Sequence, residues 1–271
     1  MNKNSGGDTL GDRMKGYEAT SKSFLLRRTP VIIRIDGKAF HTFTKKFKDV
    51  SVQSPFSTNL HTCMVSTTAT LVEQIQNCVL AYTQSDEISL LLVDWQNHET
   101  QQWFNGGLQK MASVSASIAT AAFNRRLQMF PNYKAESFKD LALFDSRVYN
   151  LPREEVTNYF IWRQQDASRN SVQMLGHHHF SQKEMHGLNN SQVQDKLMLE
   201  RNVNWNDLDV WMKRGTCVME NPKVLDSSSP VYVDEDIPIF TTQRNYIEAW
   251  LDTEEHETYK LDKMVTAGGP G

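Results

Sequence analysis

Cysteine is scarce in this 271-residue chain: Cys63, Cys78 and Cys217 are odd in number and lack paired metal-ligand spacing. That argues against an exported disulfide scaffold and a structural zinc site, and suits a reducing, cytoplasmic setting. Long apolar runs are missing too. None approaches the roughly 18 residues a membrane helix needs, and the amino-terminal MNKNSGGDTLGD has no apolar segment, so a soluble protein with no membrane partner is expected. Nor is there an excess of basic charge. A net charge of −3 excludes gripping nucleic acid by bulk basicity and leaves only local patches. These are Leu26-Arg27-Arg28, Lys45-Lys46-Phe47-Lys48 and Asn124-Arg125-Arg126, each as readily a solvated face as a contact. Repeats and low-complexity tracts are absent, and the closing TAGGPG reads as a flexible end or a fusion scar.

What is present is ordered. Residues 9–27 read as a helix, 30–36 as a strand and 56–76 as a helix. CVLAYT and ISLLLVDW, 78–83 and 88–95, read as strands around the turn Gln84-Ser85-Asp86-Glu87. A helix over 108–130, rich in small residues, and a strand over 142–151 complete a β-α-β-β-α-β order. That order predicts an α+β fold, a ferredoxin-like antiparallel sheet with both helices on one face. From Pro152 the chain turns helical: a long helix, segments around 191–200 and 205–213, a looser stretch, and a last helix near 241–252. The expected division is 1–151, the sheet domain; 152–264, a mainly helical region; and 265–271, a tail.

Strand VIIRI ends on Asp36-Gly37, and a carboxylate at the mouth of a buried strand is costly without a cation. In a split βαβ sheet the first strand lies beside the central hairpin, so Asp36 would meet Asp86-Glu87 at one edge. A pair of Mg²⁺ ions bridged by such carboxylates activates an attacking oxygen and steadies a leaving pyrophosphate in nucleotidyl transfer. Gly37 would permit close approach of a carbonyl or phosphate. The plain alternative is that both acidic pairs are ordinary turn residues.

GDRMKGYE (11–18), RIDGKAFHTFT (34–44), TQSDEISLLL (83–92), FDSRVYNLP (144–152), NYFIWRQQDASRNS (158–171) and HFSQKEMHG (179–187) together resemble the tRNA-His guanylyltransferase superfamily, the 3′-to-5′ polymerases. The resemblance implies a polymerase-like palm with helices on one face of its sheet, using two Mg²⁺ ions, ATP and GTP or other nucleoside triphosphates to extend the 5′ end of tRNA. It implies Asp36 and Asp86 as metal ligands with the Gly37 carbonyl, Glu87 as support, and Lys38, His41, Ser85 and Arg147 near the nucleotide. For tRNA contact, Arg27, Arg28, Arg163, Arg169, Asn170 and His179 are the candidates, and a homotetramer is implied.

Two motifs depart from the family. Ser168-Arg169-Asn170-Ser171 stands where the eukaryotic enzymes carry His-Ile-Asn-Asn, which points to the guanylyltransferase-like branch that repairs 5′-shortened tRNA. Ser54-Pro55-Phe56-Ser57 replaces a Lys-Pro-Phe-Asp type element and lacks its lysine. The run His177-His178-His179 reads better as polar contact than as a metal cluster. Trp162 with Arg163 reads as core plus a surface or phosphate-facing arginine rather than as a base-stacking pair. A nucleotide cyclase, which shares palm topology and paired acids, and a non-catalytic RNA-binding protein are the other readings.

Overall fold

The computed structural model describes residues 9–44, 55–131, 133, 135–220 and 230–252. Helix α1 (Leu10–Ala19) precedes strand β1 (Val31–Gly37) and the short α2 (Phe40–Thr44). Then come α3 (Thr58–Gln74), the hairpin β2 (Cys78–Gln84) and β3 (Glu87–Leu92), α4 (Leu108–Leu127) and β4 (Phe144–Asn150). The predicted β-α-β-β-α-β order is therefore present. Helix α1 stops short of the expected 27 because the Thr20 and Ser21 hydroxyls donate to the Tyr17 and Glu18 carbonyls and close its last turn.

Past Pro152 lie α5 (Arg153–His179), α6 (Gln182–Met185), α7 (Asn190–Arg201), α8 (Val210–Arg214), β5 (Thr216–Glu220), β6 (Val231–Asp234) and α9 (Asn245–Glu248). The two strands here were not expected. They join the same sheet, whose order is β4-β1-β3-β2-β5-β6 with every pair antiparallel. The described residues past Pro152 are thus mainly helical and also lengthen the sheet on the β2 side. The expected tail, 265–271, lies outside the described residues.

Strand alternation divides the core. Ile33, Ile35, Ile88 and Leu90 pack with Met64 and Leu71 of α3 and Met111, Ala119 and Phe123 of α4. Ile32, Leu80, Tyr82 and Leu91 face the other way, against Phe160 of α5, Phe240 and Tyr246. The two palm helices share one face as predicted, and the carboxy-terminal region covers the other. Each fully buried Ile or Leu contributes about 1.5–3 kcal/mol. A third cluster, Val172 and Leu175 with Val193 and Leu197, fixes the far end of α5 to α7.

Candidate active site

The acidic end of the sheet is set by register. Asp36 on β1 lies opposite Glu87 on β3 and Asp145 on β4. Ser85 and Asp86 form the hairpin turn; Ser85 has φ +50°, a left-handed conformation unusual for a residue other than glycine. The Gly37 N–H donates to the Asp86 carbonyl at 3.0 Å, tying the turn to the end of β1. Gly37 is glycine for a local reason: a Cβ there would meet the Phe40 ring at 2.2 Å.

The charges form a graded network. Glu87 is 4 % exposed. Its Oε2 accepts from Arg34 at 2.6 Å and from Arg163 at 2.9 Å, and Arg34 also reaches Asp36 at 3.5 Å. Burial still raises the Glu87 pKa, with the two guanidinium groups opposing that rise. Burial works against the Arg34 charge, yet Glu87, Tyr159 and Asp36 carry its pKa upward overall. Asp86 is raised by burial and further by the nearby Asp36, against the Ser85 hydroxyl donating to its Oδ1 at 3.1 Å. Among the described residues no cation pairs with Asp86.

Arg163 was placed on a tRNA-facing surface, and the structure corrects this: it is 3 % exposed. A guanidinium this deep must be paired, and it bridges Glu87 and Asp166, the latter at 3.3 Å. Trp162, expected in the core, is 47 % exposed instead. The helical period explains both, since Arg163 sits on the buried stripe of Val156, Tyr159, Phe160 and Ala167 while Trp162 is one step off it.

A cleft of about 870 Å³ opens beside the hairpin turn and is lined by His41, Ser85, Asp86, His61, Asn170 and Trp211, among others. Its floor includes Gly215, φ +86°, where a Cβ would lie 2.6 Å from the Thr83 carbonyl. Helix α8 and the Gly215 that follows it, invisible as a wall in the sequence, close this side. His61 stacks on Trp211 at 4.1 Å and bonds Glu235 at 2.8 Å. Lys38 and Arg147 are exposed and do not line the cleft; Arg147 faces Asp145 at 3.5 Å on the outer strand.

Arg27 and Arg28 are exposed at the opposite end of β1, where Arg27 bonds Asn105 and the Arg28 N–H bonds Asp94 at 3.1 Å. Arg169 is exposed and pairs with Asp166 at 3.0 Å. His179 ends α5 beside His178, with burial and then that neighbour lowering its pKa. Lys45, Lys46 and Lys48 lie outside the described residues, as does Ser54.

Asp36, Asp86 and the Gly37 carbonyl are hard oxygen donors, the kind Mg²⁺ takes one or two at a time while keeping water and substrate phosphates. No group of three or more His, Cys, Asp or Glu residues able to hold a metal occurs among the described residues. These donors alone do not enclose a cation; they are of the kind a cation that keeps other ligands would use. No described helix is long and apolar enough to cross a membrane.

Residues 11–152 match the family model of tRNAHis guanylyltransferase. A bacterial tRNA(His) guanylyltransferase-like protein in complex with ATP is 45 % identical, with a TM-score of 0.80, over 90 % of this chain and 99 % of that one. The bacterial protein of that description in complex with GTP gives 40 % identity and a TM-score of 0.72 over the same shares, 90 % and 99 %. The tRNA(His) guanylyltransferase of Saccharomyces cerevisiae is 26 % identical over 78 % of this chain and 91 % of the yeast sequence. The chain belongs to the tRNAHis guanylyltransferase family and is a nucleotidyltransferase.

Proposed function

We propose that this chain adds nucleotides to the 5′ end of tRNA in the 3′-to-5′ direction, and that its principal task is template-directed repair of shortened 5′ ends. The observation that carries the reading is the meeting of Asp36 and Asp86 at the end of the sheet, beside a nucleotide-sized cleft. Its chemistry has two steps. A 5′-phosphate oxygen attacks the α-phosphorus of ATP and pyrophosphate leaves; the 3′-hydroxyl of the incoming nucleotide then attacks the activated 5′-phosphorus and AMP leaves. Two Mg²⁺ ions, held by Asp36, Asp86 and the Gly37 carbonyl, would supply Lewis-acid activation of the attacking oxygen and neutralise the leaving group. His41, Ser85 and Asn170 line the cleft and supply donors for a triphosphate nucleotide, while Arg34 fixes the Asp36 carboxylate.

The test is a 5′-monophosphorylated tRNA lacking its first nucleotide, incubated with Mg²⁺, ATP and all four nucleotides. Growth that stops when the acceptor stem is complete is expected. Addition of a single guanosine whatever the opposing base would indicate tRNA-His guanylylation instead. Pyrophosphate release without tRNA, and no growth, would indicate a cyclase.

Assembly as a homotetramer in the cytoplasm belongs to the same reading. Helix α1 buries none of its residues, and Leu10, Met14 and Tyr17 form one apolar stripe at 66, 47 and 68 % exposure. Leu10→Asp with Tyr17→Asp is expected to lower the mass found by light scattering; a wild-type monomer would overturn the tetramer.

A further inference from the structure

We infer that Trp162 is a stacking platform for the 5′-terminal base of the RNA, on the side of Asp36 away from the nucleotide cleft. The inference rests on the RNA 5′-end reading above. Trp162 is 47 % exposed although the next residue, Arg163, is buried beneath it with its guanidinium carbon 3.6 Å from the indole centroid. That guanidinium is held by Glu87 and Asp166, so one face of the indole rests on a fixed cation. The Arg34 guanidinium carbon is 5.9 Å from the same ring, and Arg34 is also the group that contacts Asp36 at 3.5 Å. Tyr159 supports the ring edge at 6.0 Å. The indole is therefore one side chain removed from the reacting end of the sheet.

Two substrates must meet at Asp36 and Asp86. Asp86 lines the cleft, whereas Asp36, Arg34, Trp162 and Arg147 do not. With the cleft occupied by a nucleotide, an RNA end reaches Asp36 from the outer side, over Trp162. Arg147 stands on that side, on β4 opposite Arg34, with a side chain 58 % exposed and free to turn from Asp145 to a phosphate. A rigid, half-exposed indole beside cations is a surface on which an exposed base face stacks without sequence preference.

The experiment measures binding of a 5′-monophosphorylated acceptor-stem RNA by fluorescence anisotropy without divalent ions, using wild type, Trp162→Ala and Trp162→Phe. A second RNA carries an abasic 5′-terminal residue. Trp162→Ala is expected to weaken binding of the intact RNA roughly 5- to 100-fold, with Trp162→Phe close to wild type and the KM for ATP unchanged. On the abasic RNA, wild type and Trp162→Ala should bind alike. Equal losses on both RNAs, no loss on either, or a change of assembly state in Trp162→Ala pointing to a contact between copies would each overturn the platform. The two readings separate on wild type: if it extends intact tRNA 5′ ends and only the Trp162 result fails, the platform alone is wrong. If wild type extends nothing, the RNA-end reading falls and the platform with it.

Discussion

Asp86→Asn is expected to abolish 5′-end extension and, at the same time, to raise the melting temperature of the metal-free protein. Activity goes because a neutral amide replaces a proposed metal ligand. Stability rises because the carboxylate is half-buried near Asp36 with no cation paired to it among the described residues, and its pKa is raised by that burial. The sign follows from proton linkage. A carboxyl whose folded pKa is raised binds its proton more readily folded than unfolded, so its charge destabilises the fold above the raised value. That cost fades as pH falls to the ordinary carboxylate range. The Asn variant should therefore melt above wild type near neutral pH and level with it in acid. Added Mg²⁺ should stabilise wild type and leave the variant unmoved. A variant that melts lower, or that still extends tRNA, would remove Asp86 from this role.

Arg163→Ala should act in the opposite sense on stability. It strips Glu87 of one of two guanidinium partners in a site 4 % exposed and leaves Asp166 with only the exposed Arg169 at 3.0 Å. Breaking a buried pair from one side costs roughly 3–5 kcal/mol. Because Arg34 remains on Glu87 at 2.6 Å, the low end, about 3 kcal/mol, is expected in urea unfolding. Lysine should rescue poorly, since one ammonium cannot span Glu87 and Asp166 as the planar fork does. In Glu87→Gln, the further loss on Arg163→Ala should shrink to less than half. A cost below about 1 kcal/mol, or full additivity with Glu87→Gln, would mean the pair does not organise the site.

Much of this site was legible because period-2 alternation and turn chemistry are local. Asp36 and Asp86 could be placed together from the strand order alone, and their neighbours Ser85 and His41 do line the cleft. The errors arose where a choice of side depended on a partner distant in sequence. Arg163 looked like surface because it is charged, yet its spacing from Phe160 and Ala167 already put it on the buried stripe; the signal was present and residue type outweighed it. Strand β5, TCVME, is too short to announce itself, and pairing with β2 and β6 makes it a strand. The apolar stripe of α1 was visible as a helix, but periodicity cannot say whether a stripe meets its own core or another surface.

The addition of β5 to the β2 edge also has a consequence for how the protein is made. Strands β1 to β4 with α3 and α4 can pair as soon as residues up to 150 have left the ribosome. Thr83 must wait for Thr216, and Trp211 to Gly215, which wall the cleft, arrive just before it. Closing so long a loop is slow relative to local pairing, and domains assemble from the amino-terminal side during synthesis. A nascent chain thus holds its acidic hairpin early, with the β2 edge bare and the cleft unwalled. The last helices and strands convert a folded sheet with a bare edge into a protein with a walled cleft beside its acidic turn.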